Sequence, residues 1–301
     1  METNETTIDS AASHVISGDL NMLLGEANYL PWSCSRMDVA GSCLHKFNKI
    51  YLQGVRESSH ALTLGGLSHE VIAQLLSIPN PTEEDAREIL VQAYKSFKEQ
   101  DIDGYAWEAV QSFLAYMLEF THKWQRFLLE NNIKKDRIER PYGLTNELTR
   151  AAYMSTPFRQ TYFRGIIDLW AYDPHTQTLY IVDHKTNKSA MSSKKVKECI
   201  QLNIYIGLLS KIYKMPWKKA VIGLNFLRKN KVVWATVTPE ENKDFMDRFL
   251  NTLHYLESRL YTCESEMVWP AERSFKCTWC AFRGECEVFQ DWQTQKDLDS
   301  L

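Results

Sequence analysis

Hydrophobic positions along this chain change period part-way. Over 35–52, 64–76, 82–99 and 105–131 they recur at three- and four-residue spacing, which predicts a helical region of roughly 100 residues. In its last helix Trp107, Phe113, Tyr116, Phe120, Trp124 and Phe127 form a stripe that reads as core. The pattern then shortens. Residues 137–144 read as a strand, and 165–172 and 179–186 are rich in β-branched and aromatic residues. Between these two lies Asp173-Pro-His-Thr-Gln-Thr178, a turn signal, so they form an antiparallel hairpin. A helix over 193–213 follows, and then a second hairpin pairs 220–227 with 232–237 across Arg228-Lys-Asn-Lys231. Thr238-Pro-Glu-Glu241 is a capping box with Pro at the first helical position, opening a helix that runs to about Cys263. Helices around a few strands with no repeats predict one compact α/β domain, preceded by a patternless segment over 1–30 that is read as either mobile or a short helix.

Charge interrupts the first hairpin where apolar residues belong. If its register is symmetric about the turn, residues whose numbers sum to 351 face each other, and Asp168 meets Asp183 with Cβ atoms roughly 5 Å apart. Alternation puts Asp183 and Lys185 on one side of the strand. Two close carboxylates repel unless a proton or a cation lies between them, and Mg2+ or Mn2+ takes carboxylate oxygens. A surface ion pair is the bland reading of Asp-x-Lys alone, but Asp168 in register favours a metal site.

These residues, Gly165-Ile-Ile-Asp168, Ile181-Val-Asp183-His-Lys185-Thr186 and Gln201-Leu-Asn-Ile-Tyr205, resemble the PD-(D/E)XK nuclease superfamily in its RecB-like exonuclease branch. The resemblance implies a restriction-endonuclease-like core, a mixed sheet flanked by helices, with a helical region before it over 31–135, the nuclease core over 136–262 and a cysteine segment over 263–301. It implies His69, in Leu64-Gly-Gly-Leu-Ser-His69-Glu70, as a metal ligand beside Asp168 and Asp183. Lys185 would assist the attacking water, and Gln201 and Tyr205, one helical turn apart, would reach the site or the DNA backbone. Glu139 and Glu147 are both candidates for a further carboxylate, Glu139 fitting better. The chain departs from the commonest pattern in having His184 where the branch often has Tyr, and Asp183 where the superfamily often has Glu.

Seven cysteines, an odd number, add a second constellation. Cys277-x2-Cys280-x5-Cys286 is a tight group, and Cys43 lies far upstream in Ser42-Cys43-Leu-His-Lys-Phe47, with Cys34 as a competitor. Four thiolates suit a [4Fe-4S] cluster or a tetrahedral Zn2+. A subset of RecB-like nucleases, including AddB-type subunits and CRISPR-associated exonucleases, is similar in placing one Cys before the core and three after it, which implies the cluster. Cys199 and Cys263 fall on helical patterns and read as buried structural thiols.

Composition narrows the setting. At 44% hydrophobic and 12% aromatic, 301 residues bury a core without disulfides, and cysteines grouped as for a metal suit a reducing, cytoplasmic compartment. The N-terminus lacks a secretory pattern, and no apolar run of about 18 residues exists, so no membrane is expected. A net charge of −3 does not advertise nucleic acid, but Lys185, Lys188, Lys194, Lys195 and Lys197 follow the acidic strand closely, and Arg228, Lys229 and Lys231 crowd the tip of the later hairpin, which suits a phosphate-tracking groove. The expectation is a metal-dependent exonuclease on single-stranded DNA or free ends. Its alternatives are a processing nuclease partnered by a helicase or a CRISPR adaptation protein, and a non-catalytic DNA-binding module. No Gly-x-x-x-x-Gly-Lys-Ser/Thr motif occurs, so the chain carries no ATPase of that type.

Overall fold

The computed structural model describes residues 31–55, 60–98, 104–133, 136–145, 150–151, 153 and 161–299; the segment 1–30 and Glu147 lie outside them. Its helices are α1 (Cys34–Ala40), α2 (Leu44–Phe47, continued by a π turn over Asn48–Leu52), α3 (His60–Ser77), α4 (Glu83–Lys98) and α5 (Gly104–Glu130) before the sheet. The strands are β1 (Asp136–Leu144), β2 (Arg150–Ala151), β3 (Phe163–Asp173), β4 (Thr178–Lys185), β5 (Lys219–Phe226) and β6 (Lys231–Val237). Helices α6 (Ser193–Lys197) and α7 (Ile200–Tyr213) connect β4 to β5, and α8 (Pro239–Glu266) and α9 (Glu287–Asp299) follow β6.

The six strands form one mixed sheet in the order β2-β1-β3-β4-β5-β6, with β4 and β5 parallel and both hairpins antiparallel. The fold is thus the mixed α/β architecture expected. Pairing in the first hairpin runs from Leu169 opposite Val182 to Asp173 opposite Thr178, each pair summing to 351. The Asp173 carboxylate, which accepts from the His175 and Thr176 amides and the Thr176 hydroxyl, closes the turn. At the start of α8 the Thr238 amide donates to Glu241 Oε2 at 3.0 Å while the Glu241 amide donates to Thr238 Oγ1 at 3.3 Å, the reciprocal bonds of a capping box.

Three expectations need correction. The helix over 193–213 is two helices, broken at Glu198 and Cys199, because Cys199 takes an extended backbone and becomes the N-cap of α7. Cys199 is therefore half-buried at a helix start, whereas Cys263 is buried on α8 as expected. The helix over 35–52 is also interrupted, at Gly41 and Ser42, where Cys43 caps α2. The pair β2 and the helix α9 carried no clear sequence pattern.

Packing divides the chain into two compact units, one drawn from 58–153 and 164–246, the other from 1–57, 154–163 and 247–301. In the sheet unit α3 turns Leu64, Leu67, Val71, Ile72, Leu75 and Leu76 inward at helical spacing. They join Phe113, Met117, Phe120 and Trp124 of α5, and Leu169, Ala171 and Val182 of the sheet, in one core. Tyr116 and Trp107 of the aromatic stripe are only partly buried against it. In the other unit the buried Glu257 accepts from Trp32 Nε1 at 3.1 Å and from the Tyr162 hydroxyl at 2.8 Å, joining its three segments.

Gly223 pairs with Trp234 across β5 and β6, and a Cβ there would stand 2.6 Å from the indole ring. Gly223→Ala is therefore expected to cost about 1–3 kcal/mol, several degrees of melting temperature by calorimetry. Gly104→Ala, whose Cβ meets nothing within 4 Å, should leave the melting temperature unchanged or higher.

Candidate active site and cysteine cavity

Asp168 and Asp183 lie one step beyond the last paired residues of the hairpin, 5% and 1% exposed. Burial of ionised carboxylates requires partners, and each has a different set. Asp168 Oδ2 accepts the His184 amide at 2.7 Å and stands 3.4 Å from His69 Nδ1. His69, beside the inward face of α3, has Nδ1 3.3 Å from Glu139 Oε1 and Nε2 3.0 Å from the His184 carbonyl. A carbonyl only accepts, so Nε2 carries a proton and Nδ1 is the nitrogen turned to the two carboxylates. Among the described residues, His69, Glu139 and Asp168 are the group of three or more ligand-type side chains whose ligand atoms all lie within 4.8 Å of one another.

Glu139 reaches this position through a backbone φ of +44° inside β1, a conformation rarely adopted by residues other than glycine. Backbone strain of this kind persists where the surroundings enforce it, and here it accompanies delivery of a carboxylate to His69. Sequence could name Glu139 as a candidate but had no signal for the strained turn that selects it.

The second carboxylate faces a lysine. Lys185 Nζ stands 2.7 Å from Asp183 Oδ2 as an ion pair. Lys185 donates to Gln201 Oε1 at 2.9 Å, Gln201 Nε2 donates to the Tyr205 hydroxyl at 2.8 Å, and that hydroxyl donates to the Ile166 carbonyl at 2.7 Å. Gln201 and Tyr205 thus share one face of α7 and tether the ammonium. Gly165 makes room for the relay, since a Cβ there would lie 3.0 Å from the Tyr205 ring. The first position of Gly165-Ile-Ile-Asp168 therefore has a steric reason.

Charge is divided unevenly. Burial, with the neighbouring Asp168 charge, pushes Asp183 up to about 6 despite Lys185. Burial alone would lower His69, but the Asp168 and Glu139 carboxylates raise it to about 11. Burial likewise opposes Asp168 and Lys185, yet the His69 charge keeps Asp168 below its ordinary value and the Asp183 carboxylate keeps Lys185 above its own. Lys185 is therefore a fixed ammonium. Burial drives His184 down to about 3 and leaves its ring neutral.

The expected residues His69, Asp168, Asp183, Lys185, Gln201 and Tyr205 thus come together, with Glu139 in the tightest trio.

The cysteines meet elsewhere. Cys43, Cys277, Cys280 and Cys286 line one cavity of about 80 Å³, closed by Phe282, Val288 and Phe289 among others. The segments carrying them are joined by the His45 amide donating to the Pro270 carbonyl at 3.0 Å and by ion pairs of Lys276 with Asp38 at 2.8 Å and Lys49 with Glu285 at 3.3 Å. The Lys46 amide points at Cys43 Sγ at 3.5 Å and the Ser274 amide at Cys277 Sγ at 3.3 Å. No three of the four sulfurs lie within 4.8 Å of one another. Cys34 does not line this cavity.

No helix among the described residues is long and apolar enough to cross a membrane. Comparison with curated proteins finds no match to this sequence. Among solved structures, the crystal structure of SSO0001 is similar over 93% of this chain and 96% of its own, at 10% identity and a TM-score of 0.35, values that lend nothing to a functional argument. The family model of the PD-(D/E)XK nuclease superfamily matches residues 31–287, a span that includes the trio, the Asp183 and Lys185 pair, and all four cavity cysteines. The chain belongs to the PD-(D/E)XK nuclease superfamily.

Proposed function

We propose that this protein is a divalent-metal-dependent DNA exonuclease acting on single strands or free ends, with a [4Fe-4S] cluster held by Cys43, Cys277, Cys280 and Cys286. The observation that carries the catalytic part is the convergence of His69 Nδ1, Asp168 and Glu139 within 4.8 Å, beside a second buried carboxylate paired with a fixed ammonium. The donor set, one imidazole nitrogen and carboxylate oxygens, fits Mg2+ or Mn2+. His69, Asp168 and Asp183 are assigned as ligands, and Glu139 is placed to join them. Bound there, the ion supplies Lewis-acid polarisation of a phosphoryl oxygen and a more acidic water.

The protein's own groups do the rest. Lys185, charged throughout the working range and held by Gln201, orients the attacking water and offsets charge that builds on the phosphoryl oxygens. Tyr205 and Gln201 keep the ammonium from swinging into solvent. The exonuclease assignment rests on the resemblance of the Gln201 and Tyr205 pair and of the four-cysteine arrangement to the RecB-like branch. A processing role with a helicase or CRISPR adaptation partner uses the same chemistry. A non-catalytic DNA-binding module is disfavoured, because buried negative charge facing phosphate weakens a pure binder.

The four cysteines lining one cavity support a four-thiolate group there, and the resemblance to the RecB-like branch favours the cluster over Zn2+.

Three outcomes test this reading. Purified protein with Mg2+ or Mn2+ is expected to degrade end-labelled single-stranded DNA, and Asp183→Asn or Lys185→Ala to slow it by about 100-fold or more while melting cooperatively; equal rates for variant and wild type would remove the assignment. A pH series adds the sign. The folded-state value of Asp183, about 6, lies above its ordinary 3.8, so its contribution to metal-free stability is complete below the ordinary value and is lost as pH rises through 6. Because cation and proton compete for the same carboxylates, Mn2+ is expected to raise the melting temperature at about pH 7.5 and barely at about pH 4.5. For the cluster, anaerobically purified protein should be brown and hold iron and acid-labile sulfide in equal amounts, lost together in Cys277→Ser. A colourless preparation with one zinc per chain would sink the cluster assignment.

A further inference from the structure

We propose that Asn225 and Tyr116 are positioning residues of the metal site, acting through His184. The proposal rests on the metal reading above and concerns how its ligands are held. His184 grips the site with its main chain, not with its ring: its amide donates to Asp168 Oδ2 at 2.7 Å and its carbonyl accepts from His69 Nε2 at 3.0 Å. One peptide segment therefore orients two ligands, and the carbonyl bond fixes which nitrogen of His69 faces the carboxylates. The placement of that segment depends on what holds the His184 side chain, which alternation turns to the opposite side from Asp183 and Lys185.

That side chain is almost wholly buried, packed edge-on against Phe120 of α5 with ring centroids 5.5 Å apart. Among the described residues Nε2 has no hydrogen-bond partner, so Nδ1 is the ring's polar anchor. It accepts from Asn225 Nδ2 at 3.1 Å, and Asn225 is the residue paired with His184 in the parallel β4–β5 ladder. An amide has two ends. The Tyr116 hydroxyl donates to Asn225 Oδ1 at 2.7 Å, which forces Nδ2 toward the histidine. The path from α5 through Tyr116, Asn225 and His184 to Asp168 and His69 is thus a continuous series of hydrogen bonds. Asn225 is fully buried in β5, where its amide is tolerated because both of its ends are hydrogen-bonded.

The test uses Asn225→Leu, which keeps the branched side-chain skeleton and removes both bonds, and Tyr116→Phe, which removes one hydroxyl. Mn2+ affinity by titration calorimetry on the intact protein is expected to fall about 10–100-fold in Asn225→Leu and several-fold in Tyr116→Phe. The Mn2+ concentration for half-maximal nuclease activity should rise in parallel while KM for DNA stays at the wild-type value, a split that general destabilisation would not give. Wild-type Mn2+ affinity in both variants would overturn the proposal. Should Asn225→Leu fail to fold, Tyr116→Phe decides alone. If wild-type protein takes up no Mn2+, the metal reading falls, and imidazole nitrogen NMR of metal-free protein still decides this one: Tyr116→Phe must move the signals of His184 and His69, and unmoved signals refute it.

Discussion

Two carboxylates, Asp168 and Asp183, are withdrawn from water where the strands of the first hairpin cease to pair, and the organisation around them follows from that. An ionised carboxylate in such a place is tolerated only with charge or hydrogen bonds aimed at it. Asp168 has a main-chain amide and an imidazole; Asp183 has an ammonium and little else. The difference leaves Asp168 below its ordinary acidity range and Asp183 above it. Neighbouring carboxylates pushed apart in this way are common at sites that do chemistry.

The compensating groups come from separate elements, each held by packing of its own. The backbone of His69 is fixed because α3 buries its apolar face in the core, and its ring is held by the Glu139 carboxylate and the His184 carbonyl. Glu139 arrives through a left-handed residue inside a strand. Lys185 is flexible by nature and is made rigid by Gln201 and Tyr205, whose last link, the Ile166 carbonyl, belongs to the strand that carries Asp168. The relay therefore closes a circuit between β3, α7 and β4, and displacement of any member shifts the ammonium relative to both carboxylates.

Much of this was legible because it is local or periodic. The register of β3 and β4 follows from one turn, the capping box of α8 from four residues, and the inward face of α3 from helical spacing. What could not be read depends on contacts between distant residues. The break at Cys199 interrupts a stretch that reads as one helix, and α7 then starts where Gln201 reaches Lys185. The turn at Glu139 is hidden in an ordinary strand sequence, and the pairing of His184 with Asn225 spans 41 positions and a parallel crossover. Tyr116 read as one more aromatic in a core stripe; its ring does pack there, while its hydroxyl serves a different purpose.

The charge inventory argues for the kind of ion that fits. With Nδ1 of His69 protonated, the three carboxylates Glu139, Asp168 and Asp183 face two positive groups, and the proton lies between Asp168 and Glu139, the place where a cation would be bound. A ligand nitrogen must give up that proton. Three carboxylates and the Lys185 ammonium then leave two negative charges, matched by one divalent ion and undercompensated by a monovalent one. The raised value of Glu139, which burial and Asp168 favour over the opposing pull of His69, adjusts the same balance, since a protonated Glu139 would reduce the deficit to one. A cation that keeps Glu139 ionised must therefore carry enough field to reverse its burial cost, and hard divalent ions with oxygen ligands do so where sodium or potassium would not.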